Sequence, residues 1–215
     1  MDEILEKLST ATENEQKVFN AGKQEETDAF WEQYQESGIA KSYFYAFSYN
    51  RFNDETYNPK YPIRCNNSIM GSRDIFYENN FITDTKVEIY AGTGSLYQAF
   101  YNAKKLETIR LLSVYEITEF TTSAFLFCEN LKNITFEGVI GSDVWFQYSP
   151  LTTKSIVNIV EHLSPTASGM TLTLNTNAVN NMSFPYTSEE SGITYNSFDE
   201  LIGSKSNWTI STLSA

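Results

Sequence analysis

Residues 99–109 read Ala-Phe-Tyr-Asn-Ala-Lys-Lys-Leu-Glu-Thr-Ile, and residues 124–134 read Ala-Phe-Leu-Phe-Cys-Glu-Asn-Leu-Lys-Asn-Ile. The two stretches lie 25 residues apart, and Ala, Phe, Leu and Ile fall at the same offsets in both. A weaker copy follows 20 residues on, where Phe146-Gln147-Tyr148-Ser149-Pro150-Leu151 aligns with Leu126-Phe127-Cys128-Glu129-Asn130-Leu131. Upstream, Ile75-Phe76-Tyr77-Glu78-Asn79-Asn80-Phe81-Ile82 reads as a degenerate first copy.

A period of 20–29 residues closing on Leu-x-x-Ile is the pattern of leucine-rich repeats. Each unit supplies a short strand, expected around Val87–Tyr90, Thr108–Leu112 and Asn133–Glu137, then a turn whose Phe, Ala or Cys side chains point inward. A single unit cannot bury that face; stacked units close a continuous core and need caps at their ends. The expected fold is therefore an α/β repeat solenoid: a short, irregular leucine-rich-repeat domain with parallel strands over residues 64–215, carrying a C-terminal β-α-β cap.

The cap is read from three signals. Thr153–Leu163 is an amphipathic helix with Ile156, Ile159, Val160 and Leu163 on one face. Met170–Leu174 alternates as a strand, and Trp208–Leu213 alternates as a final strand. Between them, residues 183–196 are polar with Pro and Gly, hence loop, and Ser197-Phe198-Asp199-Glu200 opens a short helix through Lys205 with a capping box.

The first 63 residues differ in character. Residues 1–37 form a separate unit, helical over 2–36, rich in Glu, Gln, Lys and Ala. Met1, Ile4, Leu5, Leu8 and Ala11 stand at helical spacing, and Val18 and Phe19 extend the stripe. Heptad positions at Glu15, Gly22 and Glu25 do not sustain a long coiled coil. A short attachment or oligomerising helix using Ile4, Leu5, Leu8 and Val18 is the functional reading; a helix packed on its own domain is the other. Gly38 is placed to end it. Residues 38–63 form an aromatic linker that covers the first edge of the repeat domain. Tyr43, Tyr45, Tyr49, Tyr57 and Tyr61 are candidates for a docking surface, since tyrosine supplies contact area and a polar handle at low entropy cost.

The 215-residue chain carries 27 acids against 15 Lys and Arg, a formal charge of −12. Ten acids and three lysines fall within residues 1–37, which is −7 of that total. Such a surface repels phosphate backbones, so neither nucleic acid nor insertion into a membrane is expected. No apolar run reaches about 18 residues, and the acidic start lacks the basic and apolar regions of a secretory signal. Cys65 and Cys128 are too few for a disulfide scaffold and read as buried thiols.

Catalytic and cofactor chemistry finds little purchase. His162 is the single histidine, read as a surface or cap residue, and no G-x-S-x-G elbow accompanies it. Zinc, phosphate-loop and EF-hand patterns are absent, and Gly92-Thr93-Gly94 reads as a turn. Two carboxylates suffice for a glycoside hydrolase, and Asp74, Glu78, Glu88, Glu116 and Glu119 are the candidates; solvated charges between units are the simpler account. The expectation is no enzyme, no cofactor and no metal.

The Ala-Phe-x-x-Cys-x-x-Leu-x-x-Ile units resemble BspA-type leucine-rich repeats, common in gut Firmicutes and their phages. Lys17–Lys23, Glu25–Gln35, Tyr45-Ala46-Phe47 with Asp54–Tyr61, and Lys205–Ser211 resemble segments of prophage tail and baseplate-associated proteins. The resemblance covers most of the chain. It implies a repeat fold and a virion context: a protein made in the bacterial cytoplasm and placed in a phage tail or fibre. Its expected partners are a protein or glycan receptor on the host surface, other tail or fibre proteins, and further copies as a dimer or trimer. A bacterial repeat protein binding a protein partner is the alternative, and a glycan-active enzyme the remote one. The family pattern carries no catalytic residue over.

Overall fold

A computed structural model describes residues 63–65, 76–80, 82–89, 96–118, 120 and 123–214. The expected helix over 2–36, the linker through Pro62 and the Gly92–Gly94 turn lie outside the described residues.

Four parallel strands form the first sheet, in the order β1 (Ile63–Cys65), β2 (Asp84–Ile89), β3 (Thr108–Ile117) and β4 (Asn133–Ile140). Asp84 pairs with Thr108 and Thr108 with Asn133, so equivalent strand positions lie 24 and 25 residues apart. The sequence places the strands correctly but too short, because all three begin earlier or run later than the apolar pattern. Alternation fixes their faces: Ile109, Leu111, Ile134 and Phe136 are buried, while Arg110 and Glu137 are exposed. Between Leu112 and Glu116, β3 holds two more residues than β4, a bulge facing Gly138. Gly138 has φ +139° there, and a Cβ would meet the Ser113 carbonyl at 2.5 Å, so only glycine fits.

The turns before β2, β3 and β4 share one backbone geometry. Glu78, Asn102 and Phe127 take left-handed φ values of 54°, 56° and 62°. The N–H of Phe76 donates to Ala99, and that of Phe100 to Ala124; the N–H of Glu78 donates to Tyr101, and that of Asn102 to Leu126. Each turn thus hangs on the next through the same two bonds. Inside them, Phe76, Phe100, Phe125 and Phe146 stack as a buried column, with centroids 5.4, 5.2 and 4.7 Å apart. Phe146 therefore aligns with Phe125, 21 residues back, rather than with Leu126 as the sequence alignment at 20 suggests. The 20-residue spacing returns at Leu151 because Ser149-Pro150-Leu151 is one residue shorter than Cys128-Glu129-Asn130-Leu131.

Cys128 is fully buried, its thiol donating to the Phe100 carbonyl at 3.0 Å. Burial pushes the thiol up to about 12.

The second sheet, also parallel, runs β5 (Val144–Phe146), β6 (Met170–Asn175) and β9 (Trp208–Leu213). Helix α1 (Thr153–Glu161) separates β5 from β6, α2 (Thr176–Asn180) follows β6, and α3 (Phe198–Gly203) precedes β9. The expected apolar face of α1, Ile156, Ile159, Val160 and Leu163, is buried. Residues 183–196, read as plain loop, contain a small antiparallel pair, β7 (Tyr186–Thr187) with β8 (Thr194–Tyr195). Ser197 caps α3 by accepting from the Glu200 N–H at 3.1 Å; the Glu200 carboxylate reaches past it to the Asn196 N–H at 2.8 Å. No described helix is long and apolar enough to cross a membrane.

Candidate functional site

Three surfaces carry candidate features: the edge of β4, the cleft at the end of α1 and the outer face of the turns.

At β4, α1 stands where a fifth strand would lie. Ser155 Oγ accepts from the Ile134 N–H at 3.0 Å, and Asn158 Oδ1 accepts from the Phe136 N–H at 2.6 Å. Asn158 Nδ2 donates to the Phe136 carbonyl at 3.3 Å, and His162 Nδ1 lies 2.6 Å from the Gly138 carbonyl. Residues 155, 158 and 162 share one face of a helix, while 134, 136 and 138 are alternate strand positions, so the polar face matches the strand's edge. Backbone then takes over: the Ile140 N–H donates to His162 at 2.8 Å and the Ser164 N–H to Ile140 at 2.7 Å. His162 is the C-cap of α1, as its placement in the sequence suggests.

Beyond that cap lies a cleft of about 400 Å³ lined by Glu161, His162, Glu190, Tyr195, Ser204 and Lys205 among others. Glu161 accepts from the hydroxyls of Ser188 (2.7 Å), Ser191 (2.6 Å) and Tyr195 (3.0 Å). His162 Nε2 lies 3.0 Å from Glu190. The Lys205 ammonium donates to the carbonyls of Glu161 (3.0 Å) and Leu163 (2.7 Å), closing the C-terminal end of the helix. Burial holds Lys205 below the usual ammonium range, against the pull of Glu161. Burial, then the bond to Glu161, pushes the Tyr195 phenol up to about 12. These groups spend their hydrogen bonds on one another. Both His162 nitrogens are engaged, neither with Ser188 or Ser191, and the cluster pins the β7–β8 hairpin to α1.

The turns carry a second aromatic column outside the first. Tyr77, Tyr101, Phe127 and Tyr148 are all partly exposed. Tyr77 stacks on Tyr101 at 4.9 Å and 9°; Phe127 meets Tyr101 edge-on at 5.6 Å and Tyr148 at 4.6 Å. The sequence held this signal. An aromatic stands one residue after the core Phe at positions 77 and 101, and two residues after it at 127 and 148. The change of phase, with Leu126 between, hides it from a fixed-offset reading. On the outer face of the first sheet Arg110 lies 3.5 Å from Glu137.

Of the residues singled out from sequence, Tyr43, Tyr45, Tyr49, Tyr57 and Tyr61 lie outside the described residues, as do Ile4, Leu5, Leu8 and Val18. Asp74 and Glu119 do too. Glu78 sits in a left-handed turn position, Glu88 in β2 and Glu116 late in β3, packed over Gly141. No group of three His, Cys, Asp or Glu suited to a metal ion occurs among the described residues. No family model, curated protein or solved structure matches the chain.

Proposed function

We propose that this chain is a non-enzymatic binding module, a short solenoid of irregular leucine-rich repeats that presents its surface to a host receptor from a phage tail or fibre. The observation that carries the reading is the outer column Tyr77–Tyr101–Phe127–Tyr148, a ribbon of partly exposed rings on a rigid row of turns. Rigid aromatics with hydroxyl tips contribute contact area with little entropy to lose on binding. The 24- and 25-residue correspondences of strands, turn angles and turn bonds support the repeat reading. The resemblance of Lys17–Lys23, Glu25–Gln35, Tyr45–Phe47, Asp54–Tyr61 and Lys205–Ser211 to tail-associated segments supports the virion setting.

Ring geometry favours a protein receptor over a glycan. Sugars stack on open aromatic faces, and here Tyr77 and Tyr101 cover each other, leaving edges and hydroxyls to a partner. In this reading residues 1–37 attach or oligomerise the protein and take no part in recognition.

The test is adsorption of the labelled full chain to intact Firmicute cells, before and after surface protease treatment. Saturable binding that protease abolishes is expected, and Tyr101→Ser with Tyr148→Ser should remove it while lowering the melting temperature by only about 2–4 °C per kcal/mol lost. Turnover of a wall polysaccharide, lost with a single carboxylate substitution, would replace this reading with the enzymatic one.

A further inference from the structure

Strand edges need an account, because each presents a row of unpaired backbone groups. Among the described strands the two parallel sheets end at β1, β4, β5 and β9, and β7 and β8, two residues each, are both edges. β1 and β5 are three residues each, too short to template much. β4 is sealed by α1. β9 spans six residues, pairs with β6 on one side, and among the described residues receives no other hydrogen bond onto the backbone of residues 209–213.

The residues on that edge carry none of the usual deterrents. Trp208-Thr209-Ile210-Ser211-Thr212-Leu213 contains no charged side chain and no proline, in a chain with 42 charged residues (27 acids plus 15 bases). Thr209, Thr212 and Leu213 are exposed, and Leu213, 44% exposed, is one of two large hydrophobics left this open among the described residues.

We infer that the outer edge of β9 pairs with the β9 of a second copy, antiparallel about a twofold axis, joining two three-stranded sheets into one of six. A second copy suits the edge because the strand is compatible with itself in either twofold register. Centred on Ser211, Thr209 of one copy faces Leu213 of the other; centred on Ile210, Trp208 faces Thr212. Neither register opposes like charges, which would destabilise the pair. Two copies of a chain carrying a formal charge of −12 repel, and an uncharged strand lets them meet without setting like charges against each other. This contact is separate from any made by residues 1–37.

The test is the solution mass of the full chain across concentration, beside the variant Thr209→Glu with Thr212→Glu. A concentration-dependent doubling of mass is expected, weakened about tenfold or more in the variant and regained at high salt, where screening removes the repulsion. Hydrogen exchange on the unsubstituted chain is the second readout: amides 209–213 gain protection as the dimer forms. A monomer at every concentration, a dimer that the Glu pair leaves unchanged, an odd-numbered oligomer, or exchange at 209–213 independent of concentration overturns the inference.

Discussion

Two columns of aromatic rings run along the same turns, one or two residues apart. The inner one, Phe76, Phe100, Phe125 and Phe146, is buried; the outer one, Tyr77, Tyr101, Phe127 and Tyr148, is partly exposed. Centroid spacing is about the same in both, 4.7–5.4 Å within and 4.6–5.6 Å without, but the inner rings all stack while the outer ones are stacked, edge-on and tilted in turn. Spacing therefore does not separate the two columns; burial divides the roles. The inner rings hold the turns together; the outer rings are carried on them, free to differ in identity and phase.

The sharpest way to break this division is Phe125→Ala, which empties the middle of the inner column between Phe100 and Phe146. It should cost about 3–5 kcal/mol in denaturant unfolding, the range for deleting a buried Phe; a loss under about 1 kcal/mol would mean that the column does not hold the turns. Next comes the seal on β4. Asn158→Ala strands both the N–H and the carbonyl of Phe136 at a partly buried edge, and about 2 kcal/mol should be lost. An unchanged midpoint would show that water replaces the side chain there.

Alkaline pH probes the same interior. Cys128 rises from 9.0 to about 12 and Tyr195 from 10.0 to about 12 on folding, so the fold favours both neutral forms. Their stabilising contribution is complete below pH 9 and is lost as the pH climbs from 9 towards 12, because the unfolded chain then releases protons that the folded one keeps. The thiol alone should cost about 1.4 kcal/mol one pH unit above its ordinary value. Denaturant midpoints taken from neutral to alkaline pH should fall on this schedule, and Cys128→Ala should delay the onset to the tyrosine's range; an identical profile in that variant would remove the thiol from the account. The smallest stability effect belongs to the outer column, where Tyr101→Ser should cost about 1 kcal/mol. A cost matching that of Phe125→Ala would erase the distinction between the columns.

The strands and the buried positions of the turns were legible because burial imposes a period that survives in the residues themselves: Ala99, Phe100, Leu106 and Ile109 recur as Ala124, Phe125, Leu131 and Ile134. The amphipathic face of α1 was legible for the same reason. What escaped was carried by polar groups or by partial exposure. Ser155, Asn158 and His162 look like ordinary polar positions of a helix until β4 lies beside them, since a hydrogen bond to a distant backbone leaves no apolar pattern. The β7–β8 pair is two residues a side, held by Glu161 from another element, and its own sequence says only loop. The outer column was visible as aromatics but not as a row, because its phase slips at Leu126.

The ammonium of Lys205, the amide of Asn207 and the indole N–H of Trp208 all reach back to carbonyls between Glu161 and Ala167. This long return has a consequence for the order in which the molecule is made. A ribosome delivers α1 well before it delivers those three residues, so the carbonyls of Glu161, Leu163, Ser164 and Ala167 emerge before these donors exist. The nascent chain holds an unfinished joint at Ser164 until residues 205–208 leave the exit tunnel. Completion of the Glu161–Ala167 segment waits on residues about forty positions downstream, and a chain cut short before Lys205 carries its defect that far upstream of the break.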